Sequence, residues 1–391
     1  MFKCTKVNSE RNMKRVAVIT FFQSQDNYGQ LLQCFALQKI LQKLGTSPCV
    51  IRYGFHRHYY HCLPWKDLIS KTGLYVLQKN IRFIYHEKIK TKYPSRGFNR
   101  FRHNHIHFTH RCYNSLEDLQ RNPPKADIYI TGSDQVWAQL ISSYNNRSFF
   151  LDFGGKTVKG IAYAPSFALD NYPEDSWDDL RQLLKKLNAV SVREKTGVSI
   201  CEKVGVHAQL VLDPTLLLTH DDYNFLSSTV INHKYCFAYH VNISTSEELQ
   251  WASVSKYNER HSIKTYATFA NPHDNIDMRI LVGAEYVYPT IPQWLGWIKN
   301  AEYVLTSSFH GIIFSVVFHV PFVVCLREES MYAGNDRVIT LLNSLYLDDR
   351  ILSSGTCIEN ILSKKINWID VDRRLSALRL DSLAFLSKNI S

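Results

Sequence analysis

The stretch at residues 301–326, AEYVLTSSFHGIIFSVVFHVPFVVCL, sets two apolar runs on either side of a short polar junction. Tyr303-Val304-Leu305 reads as a buried strand and the run from Ile312 to Phe318 as a buried helix. Between them stand Thr306, Ser307, Ser308, Phe309, His310 and Gly311. Hydroxyls, an imidazole and free backbone N–H groups therefore meet at one helix start, which suits an anion beside a titratable group. A capped helix with a core histidine is the competing reading.

The same pattern recurs on both sides of this stretch. Arg15–Phe22 is a β-rich run, followed by the polar loop QSQDNYGQ and then Leu31, Leu32, Phe35, Leu37, Ile40, Leu41 and Leu44 at helical spacing. PCVIRY is the next strand, so the chain opens as β-loop-α-β, the start of a parallel sheet. ADIYITGSDQVW, KGIAYAPSFA, AVSVRE and AQLVLDPTLLL continue it. A second unit begins near Lys234 with YCFAYHV and contains the opening stretch. The expected fold is α/β, with two facing Rossmann-like domains across a central cleft and a C-terminal helix near 371–387. The expected boundaries are an N-terminal extension at 1–14, a first domain at 15–232 and a second at 233–391.

With 391 residues the chain exceeds one ordinary core, consistent with two domains. Its longest apolar run, 312–326, holds His319 and Pro321 and is too short for a membrane span. The nine cysteines include no CxxC pair, which fits a reducing cytosol. The net charge of +11 is concentrated: residues 52–112 carry thirteen Lys and Arg against Asp67 and Glu87, a surplus equal to that of the whole chain. Such a block implies an anionic partner. Residues 54–122 otherwise read as an irregular, aromatic and histidine-rich insertion. His103, His105 and His107 would share a strand face. With no acid near them and many cations around, a metal site is not expected.

In open α/β sheets ligands bind beyond the carboxyl ends of strands. Candidate binding residues at such places are Asn27, Gly29 and Gln30 after the first strand, and Ser133, Asp134 and Gln135 in ITGSDQVW. There Asp134 suits activating or orienting a sugar hydroxyl. Arg193 ends an apolar strand, where a guanidinium grips a carboxylate or phosphate bidentately. Asp213, before Pro214, reads mainly as a turn residue. No GxGxxG or Walker sequence occurs, which weakens a nicotinamide or P-loop reading.

The ordered set DNYGQLLQCFALQKIL, DIYITGSDQVW, FFLDFG, KGIAYAPSFA, SVREKTG, VLDPTLLL, the opening stretch and NDRVITLLNSLYLDDR resembles the polysaccharide pyruvyl transferase family, from about residue 16 to 350. That resemblance implies a GT-B-like fold. It also implies transfer of pyruvate from phosphoenolpyruvate to a sugar, leaving a ketal. By the same resemblance Arg193 and His310 contact phosphoenolpyruvate and Phe309 contributes through its backbone; the reading of the polar junction adds Ser307, Ser308 and Gly311 as candidate binding residues. Some members carry Arg where this chain has Ser308, so Arg327 or Arg337 is the candidate replacement cation. No cofactor is expected. The expected acceptor is a lipid-linked oligosaccharide, met in the cytoplasm at the anionic inner face of the plasma membrane, where the basic block would dock. A GT-B glycosyltransferase using a nucleotide sugar is the alternative. Nucleic acid is not an expected partner, because no RNP1-like or zinc-finger pattern appears.

Overall fold

The computed structural model describes residues 13–23, 27–54, 94–138, 141–155, 157–227, 231–270, 279–327, 334–353 and 355–391. Seven parallel strands form the first sheet: β1 (Arg15–Ile19), β2 (Ser47–Tyr53), β3 (Phe108–Tyr113), β4 (Ile128–Thr131), β5 (Lys159–Ala162), β6 (Ala189–Val192) and β7 (Gln209–Leu210). Their spatial order is β3-β2-β1-β4-β5-β6-β7. Five more make the second sheet: β8 (Tyr235–Val241), β9 (Lys264–Ala270), β10 (Glu285–Tyr286), β11 (Tyr303–Thr306) and β12 (Phe322–Val324), in the order β10-β9-β8-β11-β12. Every pairing is parallel. Strand order reverses beside β1 and β4 in the first sheet and beside β8 and β11 in the second, which opens a ligand crevice at each carboxyl edge.

Strand periodicity explains how the layers stack. Side chains alternate across a strand, so a strand covered on both faces reads as a continuous apolar run. Val16 and Val18 face a middle core, whereas Ala17 and Ile19 face an outer one. Tyr235, Phe237 and Tyr239 likewise face the middle core, while Cys236 and Ala238 face the other outer core. The middle core is thus common to both domains. Tyr28 of the first domain stacks on Trp294 of the second at 5.0 Å and 6°, and its hydroxyl donates to Pro289 O at 2.7 Å.

The C-terminal helix Trp368–Ile390 is longer at both ends than its apolar pattern suggested, and it joins the two domains. Trp368 stacks on His319, and Asp372 accepts from His319 Nε2 at 2.9 Å, both on the second domain. Further along, Arg379 donates to Leu216 O and Leu218 O, and Leu212 N donates to Ser382 Oγ, all on the first.

Three local expectations are corrected. The helix read as starting near Leu31 spans Tyr28–Lys43, because Asn27 caps it by accepting from Gln30 N at 3.2 Å. His103 and His105 do not alternate on a strand: they lie on the helix Phe98–His105, whose Phe98 and Phe101 enter the middle core. Among the described residues no three His, Cys, Asp or Glu side chains group as metal ligands. Residues 108–113, within the stretch read as an irregular insertion, form the edge strand β3. Most of the basic block, at 55–93, lies outside the described residues. Cys34, Cys201, Cys236 and Cys325 are buried free thiols. No helix among the described residues is long and apolar enough to cross a membrane.

Candidate functional site

The two carboxyl edges meet at one buried polar cluster. From the first domain, β6 delivers Arg193, the turn after β4 delivers Ser133 and Asp134, and the loop after β7 delivers Asp213. Asp213 serves two purposes. Its Oδ1 accepts from Thr215 N at 3.0 Å and Thr215 Oγ1 at 2.6 Å, closing the local turn. Its Oδ2 accepts from Arg193 Nη1 at 2.6 Å and from Ser133 Oγ at 2.9 Å. Arg193 Nη2 points to Asp134 Oδ1 at 3.4 Å. Arg193 is 4 % exposed and Asp213 1 %, so this is a desolvated charge network.

From the second domain, the opening stretch folds as β11, a junction, and the helix Phe309–Val317. Thr306 Oγ1 donates to Tyr239 O at 2.6 Å, and Ser307 Oγ accepts from Val241 N at 3.0 Å, so both hydroxyls tie β11 to β8. Ser308 caps the helix by accepting from Gly311 N at 3.3 Å. A Cβ on Gly311 would lie 2.4 Å from Thr306 Oγ1, so glycine permits this tight entry. His310 Nε2 then stands 3.8 Å from Asp213 Oδ2, across the domain boundary.

Gly29, in the first turn of the helix Tyr28–Lys43, explains the NYGQ signal. A Cβ there would lie 2.1 Å from His310 Nδ1, an overlap no side chain tolerates. Two helix starts from opposite domains therefore converge on one imidazole. We expect Gly29→Ala to displace His310 and to lower turnover by about a hundredfold, the scale on which small misplacements at a reacting centre act. Steady-state kinetics beside a melting curve checks this; unchanged turnover would mean that His310 need not hold this position.

The charges explain one another. Burial pushes the His310 imidazole down to about 4, against the pull of Asp213. Burial opposes ionisation of Asp213, but His310, Arg193 and the Thr215 bonds hold its carboxyl below the usual range. Burial raises Glu194, whose Oε1 accepts from Phe167 N at 2.8 Å. Arg337 enters from the second domain: with its amide oxygen facing inward, Gln135 accepts from both Nη atoms of Arg337. Burial and then the neighbouring Arg193 and Arg327 push the Arg337 guanidinium down to about 9. Arg193 and Arg337 lie 5.1 Å and 5.7 Å from the Phe309 ring. Arg193 Nε, Arg337 Nε and His310 Nε2 are buried with no hydrogen-bond partner.

Of the residues singled out in the sequence, the structure brings together His310, Arg193, Asp134, Ser133, Gln135, Phe309, Arg337 and Gly29. The side chains of Asn27, Ser307 and Ser308 bond backbone groups, and Gln30 N is the donor to Asn27. Arg327 is placed by its own backbone, which exchanges two bonds with Asn335. Asp213, which the Asp-Pro pattern marks as a turn residue, stands at the hub of this network.

Two facing parallel sheets with a cationic site between their carboxyl edges define a two-domain α/β enzyme of GT-B architecture. Solved structures of this shape include the UDP-N-acetylglucosamine 2-epimerase from Rickettsia bellii, at 8% identity and TM-score 0.50, covering 97% of both chains. The UDP-GlcNAc 2-epimerase of Methanocaldococcus jannaschii is 11% identical at TM-score 0.43, with 94% of this chain and 99% of that one covered. A spinosyn rhamnosyltransferase is 10% identical at TM-score 0.39, with 96% of each covered. At these identities the likeness concerns the fold alone. A search of curated proteins found no match. Residues 27–329 match the polysaccharide pyruvyl transferase family, and the chain belongs to it.

Proposed function

We propose that this protein transfers pyruvate from phosphoenolpyruvate to a sugar of a surface polysaccharide or its lipid-linked precursor, forming a pyruvate ketal. The observation that carries this reading is the pair of guanidiniums flanking Phe309 beside His310. Arg193 is neutralised by two carboxylates, but Arg337 has only the Gln135 amide, and no carboxylate among the described residues lies within ion-pair distance of it. A buried guanidinium with no ion-pair partner favours an anionic ligand. Phosphoenolpyruvate is small and highly charged, and Arg337 supplies the cation that Ser308 does not.

In this reading the guanidiniums hold the carboxylate and phosphate, and His310 delivers a proton to C3 while a sugar hydroxyl, oriented by Asp134, attacks C2 and gives up its proton to the Asp134 carboxylate. The C2–O bond to phosphate then breaks and phosphate leaves with the bonding electrons. Attack by a second sugar hydroxyl, with loss of its proton, closes the ketal. The acceptor approaches from the first domain. The thirteen cations of residues 52–112 support a lipid-linked acceptor at the inner face of the plasma membrane.

Ligand-dependent melting tests the donor. At a hundredfold excess over Kd, phosphoenolpyruvate should stabilise the fold by about 2.7 kcal/mol, and nucleoside diphosphates should not. The reverse result would favour a nucleotide-sugar glycosyltransferase on the same architecture.

A further inference from the structure

The helix that follows Arg193, Lys195–Lys203, begins without a cap of its own. Its N-cap residue Glu194 makes no side-chain bond to the first turn and accepts from Phe167 N instead. The cap comes from the other domain. Asp336 Oδ2 accepts from Thr196 N at 3.0 Å and from Thr196 Oγ1 at 2.8 Å. One turn further along, Thr340 Oγ1 accepts from Lys195 N at 3.4 Å. Unpaired N–H groups and the positive end of the helix dipole favour a carboxylate here.

The position of this crossing matters. Thr196 stands one turn after Arg193, and Asp336 immediately precedes Arg337. One interdomain bond pair thus joins the segments that carry the two guanidiniums flanking Phe309. Residue 335 is held from the opposite side, since Asn335 Nδ2 donates to Arg327 O at 2.9 Å and Arg327 N donates to Asn335 Oδ1 at 3.3 Å. The backbone leading into Arg337 is fixed on two sides.

We propose that Asp336 is a positioning residue for the anion site: by capping the first domain's helix at Thr196, it sets Arg337 in register with Arg193 across Phe309. The proposal rests on the donor reading above. Asp336 touches no substrate in it, and its effect passes through the placement of Arg337.

Kinetics and phosphate binding on a small variant set test this. Asp336→Ala should raise KM for phosphoenolpyruvate about tenfold or more, the scale of one misplaced charged hydrogen bond, while kcat changes far less. Thr196→Val, which loses one of the two bonds, should show a smaller rise. Asp336→Asn and Thr196→Ser retain an acceptor and a donor and should restore most of the affinity. Ser115→Ala is the control: it removes the hydroxyl that accepts from Asp118 N at the start of the helix Leu116–Arg121, whose Leu116 and Leu119 pack in the first domain's outer core. It should lower Tm and leave KM unchanged. If Asp336→Ala lowers Tm as the control does and keeps the wild-type KM, Asp336 is structural and the proposal fails. If Asp336→Asn binds phosphoenolpyruvate much more tightly than wild type, charge and not placement governs the site, and the proposal fails equally. Inorganic phosphate as a probe separates this from the donor reading. Weaker phosphate protection in Asp336→Ala supports the positioning role even where phosphoenolpyruvate is not turned over, and equal protection overturns it.

Discussion

His310→Ala should lower pyruvyl transfer by about 10²–10⁴-fold, the usual contribution of a general acid, while the protein remains folded. The imidazole sits where two helix starts converge, and burial keeps it neutral near pH 7 because its pKa is pushed down to about 4. An anion arriving beside it reverses that balance, since a nearby negative charge favours the protonated ring. Binding of phosphoenolpyruvate near pH 6 should therefore take up a proton, which calorimetry in buffers of different ionisation enthalpy detects and which the alanine variant should lack. Linkage gives the acid side. The unfolded chain protonates this residue near its ordinary 6.5, whereas the folded chain resists until about 4. Stability is lost as pH falls through that window and levels off below it, so wild type should lose more than His310→Ala between those values. A variant that melts several degrees lower yet keeps its turnover would make His310 a core residue.

Arg193 gives the second large effect, with a built-in separation of roles. Arg193→Ala leaves Asp213 buried without its main partner, and breaking a buried pair in this way costs about 3–5 kcal/mol. Arg193→Lys returns a positive charge to the pocket and should recover part of that stability. It should not recover function, because an ammonium cannot span Asp213 and Asp134 as the planar fork does. Activity of the lysine variant should therefore stay close to that of the alanine variant while its Tm rises above it. Wild-type affinity for phosphoenolpyruvate in Arg193→Lys would remove the residue from the donor site.

How far the sequence could be read depended on how far apart the partners lie along the chain. Strand and helix patterns are local, so VAVI, YCFAYHV and the polar junction at 306–311 declared the parallel sheets and their carboxyl-edge loops directly. Gly29 was ambiguous because its reason, His310, lies hundreds of residues downstream. The second role of Asp213 is hidden in the sequence because one carboxylate oxygen does what the Asp-Pro-Thr pattern announces, and only the other reaches Arg193. Around the histidines at 103 and 105 the helical signal is legible: Phe98, Phe101 and His105 fall on one helical face, and the Phe101 and His105 rings lie 4.6 Å apart. The cap that Asp336 provides has no local signature, since donor and acceptor belong to different domains.

The apolar layer shared by the two sheets has a further consequence. Tyr28, Trp294, Phe314 and the C-terminal helix belong to one continuous interior, so separating the halves would expose it to water. A large apolar boundary of this kind suppresses rigid-body opening. The two halves should therefore melt together as a single cooperative block, in one calorimetric transition. A frame of this kind should admit substrates without swinging the two sheets apart, and scattering profiles of the protein with and without phosphoenolpyruvate should then superimpose.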